Sequence, residues 1–276
     1  MGSAKGIRFT LFTKPWPDKS LSELARFVKG LGFDGVELPV RPGYQVTPES
    51  AERGLPEASR ILGEHGLHIG SVAGNLSGET DERLIAACRQ AQVPVLRLLP
   101  RIDMSKGYWA SVEDLRRAYD AYVPLLERHG VALGIQNHCG YFIGSAIGTV
   151  HLIERYDPKL VGIVLDPAHC ALAGEPADMA FDVAWSRTLF VNLKNAYWRR
   201  ATGTEAEDVK WRVHWTSGRQ GLVSWPQVVE LLKRKNYSGD ICLHAEYSDA
   251  DGRTDLMGDS VNRLIAEDIS YVRTLV

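Results

Sequence analysis

The stretch VGIVLDPAH, residues 161–169, is a short run of Val, Ile and Leu that ends in an acidic and a basic side chain. Strands that are buried on both faces of a parallel sheet have this composition. Seven other runs of the same kind are spread along the 276-residue chain. They are GIRFTLF (6–12), GVELPV (35–40), HIGSVAG (68–74), VLRLLP (95–100), ALGIQNH (132–138), LFVNLKN (189–195) and DICLHAEY (240–247).

Amphipathic segments lie between these runs and predict helices. SLSELARFVKGLG (20–32) has apolar residues at helical spacing, and a capping box of Ser20 and Glu23 begins it. The segment 111–130 repeats this plan and ends at Gly130. The other predicted helices cover 48–65, 79–91, 145–156, 176–185, 225–236 and 258–274.

The strict alternation of strand and helix predicts a parallel sheet with right-handed crossovers. Eight units favour a single-domain α/β fold, a (β/α)8 TIM barrel over residues 1–276, with an open doubly wound sheet as the alternative. The longest stretch without a predicted element is 196–224, which holds three tryptophans. A loop of that length is usually functional or disordered, and the tryptophans argue against disorder.

Composition excludes several classes of protein. With a net charge of -2, the chain has no general attraction to nucleic acid or to an anionic membrane. No apolar run approaches the ~20 residues that span a bilayer, and no signal-peptide plan begins the chain, so we expect a cytoplasmic protein. The four cysteines are far apart, which predicts free thiols in a reducing compartment.

Polar side chains follow most of the predicted strands, at the end of a barrel where chemistry gathers. Four of them, from the last four strands, offer side-chain oxygen, which suits Mg²⁺ or Mn²⁺. Alternatively, these four hydrogen-bond one another and water across the barrel mouth. The four are Gln136, Asp166, Asn192 and Glu246.

Five motifs resemble those of the xylose-isomerase-like TIM-barrel superfamily of sugar isomerases and epimerases. They are GVELPV, GIQNHCG, VGIVLDPAHC, FVNLKN and YSGDICLHAEY, and the resemblance covers nearly the whole chain. It implies a metal bound at Gln136, Asp166, Asn192 and Glu246, where the family commonly has Glu, Asp, His and Glu. Because two of these positions carry amides, we expect Mn²⁺ or Mg²⁺ to be weakly bound or absent.

The amide at Gln136 also bears on the reaction. The resemblance to the family's ketose epimerases implies two glutamate bases, one that removes a proton and one that returns it on the opposite face. A glutamine cannot accept a proton near neutral pH. The base is then His138 or Glu246. His138 either takes the proton or only hydrogen-bonds substrate hydroxyls. Lys194 either neutralises an enediolate oxyanion or forms a structural ion pair.

The expected substrate-binding residues are Glu37, Arg97, His169, Trp198 and Arg199. For His169 the expectation follows the resemblance, because the matching family histidine contacts the substrate. The tryptophans of 196–224 either stack on a sugar or aryl face or only close the top of the barrel.

The first expectation for function is a sugar isomerase or epimerase that acts by metal-assisted proton transfer next to a carbonyl. The runner-up resembles the catalytic subunits of bacterial C-glycoside deglycosidases, lyases that remove a proton beside the ketone of a 3-keto sugar and expel an aryl group. A non-catalytic sugar-binding barrel is a further alternative. The missing ligands and acidic charge argue against a DNA-repair endonuclease. The expected partners are a small sugar or glycoside and either a second copy or a different subunit.

Overall fold

Each predicted apolar run forms a strand in the computed structural model, which describes residues 6–76, 78 and 81–276. The strands are β1 (Ile7–Phe12), β2 (Gly35–Pro39), β3 (His68–Ala73), β4 (Val95–Leu98), β5 (Ala132–Gln136), β6 (Val161–Leu165), β7 (Thr188–Leu193) and, after a two-stranded excursion, β10 (Gly239–His244). Neighbouring strands pair in parallel, and β1 pairs with both β2 and β10. The predicted (β/α)8 barrel is confirmed, and the open-sheet alternative is wrong.

Helices form an outer layer around this barrel. They are α1 (Leu21–Gly30), α2 (Ala51–Glu64), α3 (Asp81–Gln90), α4 (Tyr108–His129), α5 (Ala146–Ile153), α6 (Pro167–Leu172), α7 (Ala177–Ala184), α8 (Trp225–Arg234) and α9 (Asn262–Arg273).

Local sequence signals explain several of the helix ends. The capping box of Ser20 and Glu23 is present at α1, and Gly130 ends α4 in the left-handed conformation with φ 62°. α4 begins at Tyr108, three residues before the predicted start, and Ser111 lies inside the helix with its hydroxyl bonded back to the carbonyl of Gly107. Residues 79 and 80 of the predicted helix 79–91 lie outside the described residues.

Six strands each contribute one residue to a small apolar cluster that is separate from the larger core: Phe12, Ala73, Val95, Val164, Phe190 and Cys242. A Cβ atom on Gly134 would lie 2.7 Å from Val164 Cγ2, so β5 adds its glycine to the same layer. Side chains alternate along a strand, and residues two positions later therefore share this face. The positions two residues later are polar, and several of them are buried. Together with Glu37 of β2, these buried side chains are called the polar layer: Glu37, Arg97, Gln136, Asp166, Asn192 and His244.

The prediction that 196–224 is irregular is wrong. This region contains an antiparallel hairpin of β8 (Asn195–Arg200) and β9 (Trp211–Thr216), favoured by aromatic residues in both strands and by β-branched residues in β9. The buried Asn195 amide anchors the returning chain, because it donates to the carbonyls of Gly218 and Val223 at 2.9 and 2.8 Å. The hairpin thus lies against the barrel directly after β7.

Two other expectations bear on the whole chain. All four cysteines are free, as predicted. Among the described residues, no helix is long and apolar enough to cross a membrane.

Candidate functional site

A buried ion pair joins Glu37 of β2 to Arg97 of β4. Arg97 Nε lies 2.9 Å from both carboxylate oxygens of Glu37, and the Ser71 hydroxyl donates to Glu37 Oε2 at 2.8 Å. Burial raises the pKa of Glu37, but the Arg97 guanidinium outweighs it and holds that pKa below its usual range. Both side chains are almost inaccessible to solvent, at 0% and 3%. Glu37 and Arg97 are therefore paired with each other and buried, and their predicted contact with the substrate stays a prediction.

Gln136 continues the chain of contacts from this ion pair. Arg97 Nη1 donates to Gln136 Oε1 at 2.5 Å, and Gln136 Nε2 donates to Asp166 Oδ2 at 2.8 Å. Because a guanidinium only donates and a carboxylate accepts, these contacts fix the orientation of the amide. The amide oxygen of Gln136 consequently faces Arg97.

Asp166 is held by the start of α6, a helix that sequence analysis did not predict. Its Oδ1 accepts hydrogen bonds from the backbone N–H groups of Ala168 and His169 at 3.1 and 3.3 Å, as an N-cap residue does. The side chain of Asn137 clamps the Asp166 backbone, accepting from its N–H at 2.8 Å and donating to its carbonyl at 2.9 Å. The asparagine of the QNH motif therefore positions Asp166.

Two lysines hold the carboxylate of Glu246. Lys194 Nζ donates to Glu246 Oε2 at 2.7 Å and lies 3.5 Å from Asp166 Oδ2, while Lys14 Nζ donates to Glu246 Oε1 at 2.8 Å. Burial raises the pKa of Glu246, but the two ammonium groups outweigh it and hold that pKa well below its usual range. Glu246 is thus a fixed anion and a weak base. Lys14 was missed by sequence analysis, although it lies two residues after Phe12 on the interior face.

His138 and His169 lie side by side, with ring centroids 3.9 Å apart and ring planes inclined by 38°. Nδ1 of His138 lies 2.7 Å from the carbonyl oxygen of Cys139, so Nδ1 carries the proton and Nε2 offers a lone pair. Nδ1 of His169 instead accepts the N–H of Cys139 at 3.1 Å, so the proton of the neutral ring is on Nε2. Burial and the Lys194 charge lower the pKa of His138 to about 4, and the same two causes hold the pKa of His169 well below its usual value. Together, the two rings present one acceptor and one donor.

The hairpin supplies an aromatic wall through Trp215. The Lys194 ammonium lies 4.6 Å from the centroid of the Trp215 ring, and the His169 ring lies 5.4 Å from it. Trp198 and Arg199 have other contacts, since they donate to the backbone carbonyls of Leu172 and Ala250. Trp215 is therefore the tryptophan beside Lys194 and His169, whereas Trp198 bonds the hairpin to the end of α6 and Arg199 bonds it to the loop at Ala250.

The predicted metal ligands are only partly available. Gln136 Oε1 is bound by Arg97, and Asp166 and Glu246 share the ammonium of Lys194. The amide of Asn192 is fully buried and has no hydrogen-bond partner among the described residues. This donor set does not fit a divalent cation, because a lysine already compensates the two carboxylates and one amide oxygen is engaged. Of the four residues, only Gln136 and Asp166 hydrogen-bond each other, and Glu246 is bonded by the two lysines, so the predicted network is present only in part.

Comparison of the sequence with known families gives one match over most of the chain. Residues 25–274 match the profile of the family described as xylose isomerase-like TIM barrel. Inosose dehydratase from Mesomycoplasma hyopneumoniae is 27% identical over 140 residues, which cover 49% of this chain and 47% of that enzyme. The chain thus spans about half the length of that relative. Inosose dehydratase from Lactiplantibacillus plantarum is 19% identical over 254 residues, covering 83% and 82% of the two chains.

Solved structures share the fold at low sequence identity. The apo form of 3-keto-D-glucoside 4-epimerase from E. coli superposes with a TM-score of 0.70 at 13% identity, over 97% of this chain and 99% of that one. A xylose isomerase-like TIM barrel protein from Mycobacterium smegmatis in complex with magnesium gives a TM-score of 0.66 at 16% identity, over 100% and 98%.

Proposed function

Since the chain belongs to the xylose isomerase-like TIM barrel family, we propose that it is a lyase that acts on a cyclic keto-sugar or keto-polyol. It removes the proton next to the carbonyl and completes the reaction by eliminating a group from the neighbouring carbon. This reading ranks the lyase alternative of the sequence above the isomerase or epimerase. The reaction needs no step through a metal.

The observation that carries the proposal is the fixed amide of Gln136. Inversion of a carbon centre by proton transfer needs a base on each face of the substrate. Gln136 cannot serve, because its amide is bound between Arg97 and Asp166 and has no basicity near neutral pH. Elimination needs only one base.

His138 is that base in the proposal. Its Nε2 lone pair takes the proton from carbon, and the electrons of the C–H bond form the enolate. The Nε2–H of His169, which has no hydrogen-bond partner among the described residues, donates to the carbonyl oxygen as charge develops there. As the carbonyl re-forms, the bond to the neighbouring hydroxyl breaks. Lys14, whose side chain is 28% exposed, gives that hydroxyl a proton so that it leaves as water.

The named relatives support elimination. The two relatives named above are inosose dehydratases, and loss of water from a cyclic keto-polyol is the elimination described above. An aryl leaving group, as in a 3-keto C-glycoside, requires the same proton removal and differs only in the group expelled. Both substrates are therefore included in the test.

Isomerisation of a ketose is the second candidate. One base beside one proton donor can carry a proton between adjacent carbons along one face. The rings of His138 and His169, with centroids 3.9 Å apart, provide that pair. It does not provide a base for the opposite face. The geometry therefore favours isomerisation over epimerisation among the non-eliminating reactions.

Proton NMR in D₂O with an inosose, a 3-keto glycoside and a ketohexose tests the proposal. We expect loss of water or of the aryl group. His138→Gln should lower turnover about 10²–10⁴-fold, whereas His151→Gln, at an exposed ring on α5, should leave turnover unchanged. Deuterium incorporation with inversion and no elimination would refute the lyase assignment. A protein that binds these compounds without any exchange would be a sugar-binding barrel.

A further inference from the structure

We propose that the ammonium group of Lys194 takes the place of a divalent cation at the mouth of the barrel, so that this site binds no divalent metal. The inference concerns the composition of the site and does not depend on which reaction the barrel catalyses. It rests on the position of the ammonium, on the balance of buried charges and on the use of each ligand oxygen.

The ammonium occupies the place where a metal would need to lie. Lys194 Nζ is 2.7 Å from Glu246 Oε2 and 3.5 Å from Asp166 Oδ2, the two carboxylates of the predicted ligand set. The Lys194 side chain is 2% exposed, and the Trp215 ring packs 4.6 Å from its ammonium. A metal could approach both carboxylates only if Lys194 left this enclosed position.

The buried charges are already balanced. Asp166, Glu246 and Glu37 supply three negative charges, and Lys194, Lys14 and Arg97 contact them with three positive charges. A divalent ion would leave two positive charges in excess beside Asp166 and Lys194, which are 0% and 2% exposed. An unpaired buried charge is costly, because the loss of its hydration is not compensated.

The ligand oxygens are also in use. Asp166 Oδ1 accepts two backbone N–H groups, and Oδ2 accepts the amide of Gln136 as well as the Lys194 charge. Gln136 would have to turn its amide over to offer oxygen, and it would then present N–H groups to Arg97. Asn192 alone retains an unbonded oxygen among the four. One amide oxygen is far from the six or more oxygen ligands that hard cations take.

Metal analysis of the purified protein and titration with Mn²⁺, followed by the EPR signal of free Mn²⁺, test the proposal. Wild type should contain no stoichiometric metal and leave the free Mn²⁺ signal unchanged. The double variant Gln136→Glu/Lys194→Met adds a carboxylate and removes the competing ammonium, so it should bind about one equivalent of Mn²⁺. Circular dichroism establishes that this variant is folded.

Mn²⁺ binding by the wild-type protein tests the proposal even if the double variant does not fold. One equivalent of Mn²⁺ in wild type that is lost in Glu246→Gln would overturn the proposal. Mn²⁺ binding that Glu246→Gln leaves unchanged lies at another place, and the proposal stands. A folded double variant without Mn²⁺ binding would show that Lys194 does not occupy a cation's place. Because none of these readouts is turnover, failure of the proposed lyase reaction is measured separately.

Discussion

Replacing Glu37 by glutamine tests whether the ion pair beneath the site stabilises the barrel. The carboxylate accepts Arg97 Nε at 2.9 Å on both oxygens and Ser71 at 2.8 Å, and its side chain is fully buried. Removing one partner of a buried ion pair costs about 3–5 kcal/mol, because the other charge is left without compensation. The glutamine keeps one acceptor oxygen for Arg97. We therefore expect a loss near the lower end, about 3 kcal/mol in the free energy of unfolding.

Urea denaturation followed by circular dichroism measures this loss. Glu64→Gln is the matched control, because Glu64 pairs with Arg60 on the surface of α2 and both side chains are about 60% exposed. That change should cost less than about 1 kcal/mol. Arg97→Met completes a double-mutant cycle. The double variant Glu37→Gln/Arg97→Met should lose less unfolding free energy than the sum of the losses of the two single variants. A Glu37→Gln protein as stable as the Glu64→Gln control would refute the reasoning.

Three further outcomes are expected. If neutral His138 is the base, kcat/KM should decline only as pH falls towards about 4, the lowered pKa of this ring; a decline centred near 6.5 would assign the limb to another group. Gly221→Ala should unfold the hairpin region, since a Cβ there would lie 2.0 Å from Asn195 Oδ1, whereas Gly203→Ala has no atom within 4 Å and should melt like wild type. Burial raises the pKa of Asp268 to about 6, so its protonated form is favoured on folding and stability should fall as pH rises from about 4 to about 6, by up to about 3 kcal/mol. Asp268→Asn should remove that slope in urea titrations, and an unchanged slope would contradict it.

The barrel was predictable because each of its strands is marked locally by a short apolar run. The polar layer was predictable for a related reason: alternation carries the interior face from Phe190 to Asn192 and Lys194 without any long-range contact. The hairpin was missed because it interrupts the strand–helix alternation on which the assignment rested. The short α6 was missed because six residues are too few to show helical periodicity.

The roles of the polar side chains depended on contacts between distant strands. Glu37 and Arg97 are 60 residues apart in sequence, and nothing local to either shows that the two bond each other. Whether Gln136, Asp166 and Glu246 hold a metal or a network depended on where the long side chain of Lys194 ends. The position of Lys194 in the sequence indicates that its side chain points into the barrel. The place where its ammonium ends depends on contacts with residues such as Trp215, which are distant in sequence.

The hydrogen bonds in the row of side chains from Arg97 through Gln136 to Asp166 all run in one direction, from donor to acceptor. Arg97 donates to the amide oxygen, and the amide nitrogen donates to the carboxylate. No member of the row can hand a proton back, because the amide would have to become an imidic acid to do so. A change of charge beside Asp166 therefore alters the electrostatic potential at Arg97 through these aligned hydrogen bonds, but no proton moves along them. The row therefore couples Asp166 to the buried Glu37–Arg97 ion pair electrostatically, but it does not carry protons between them.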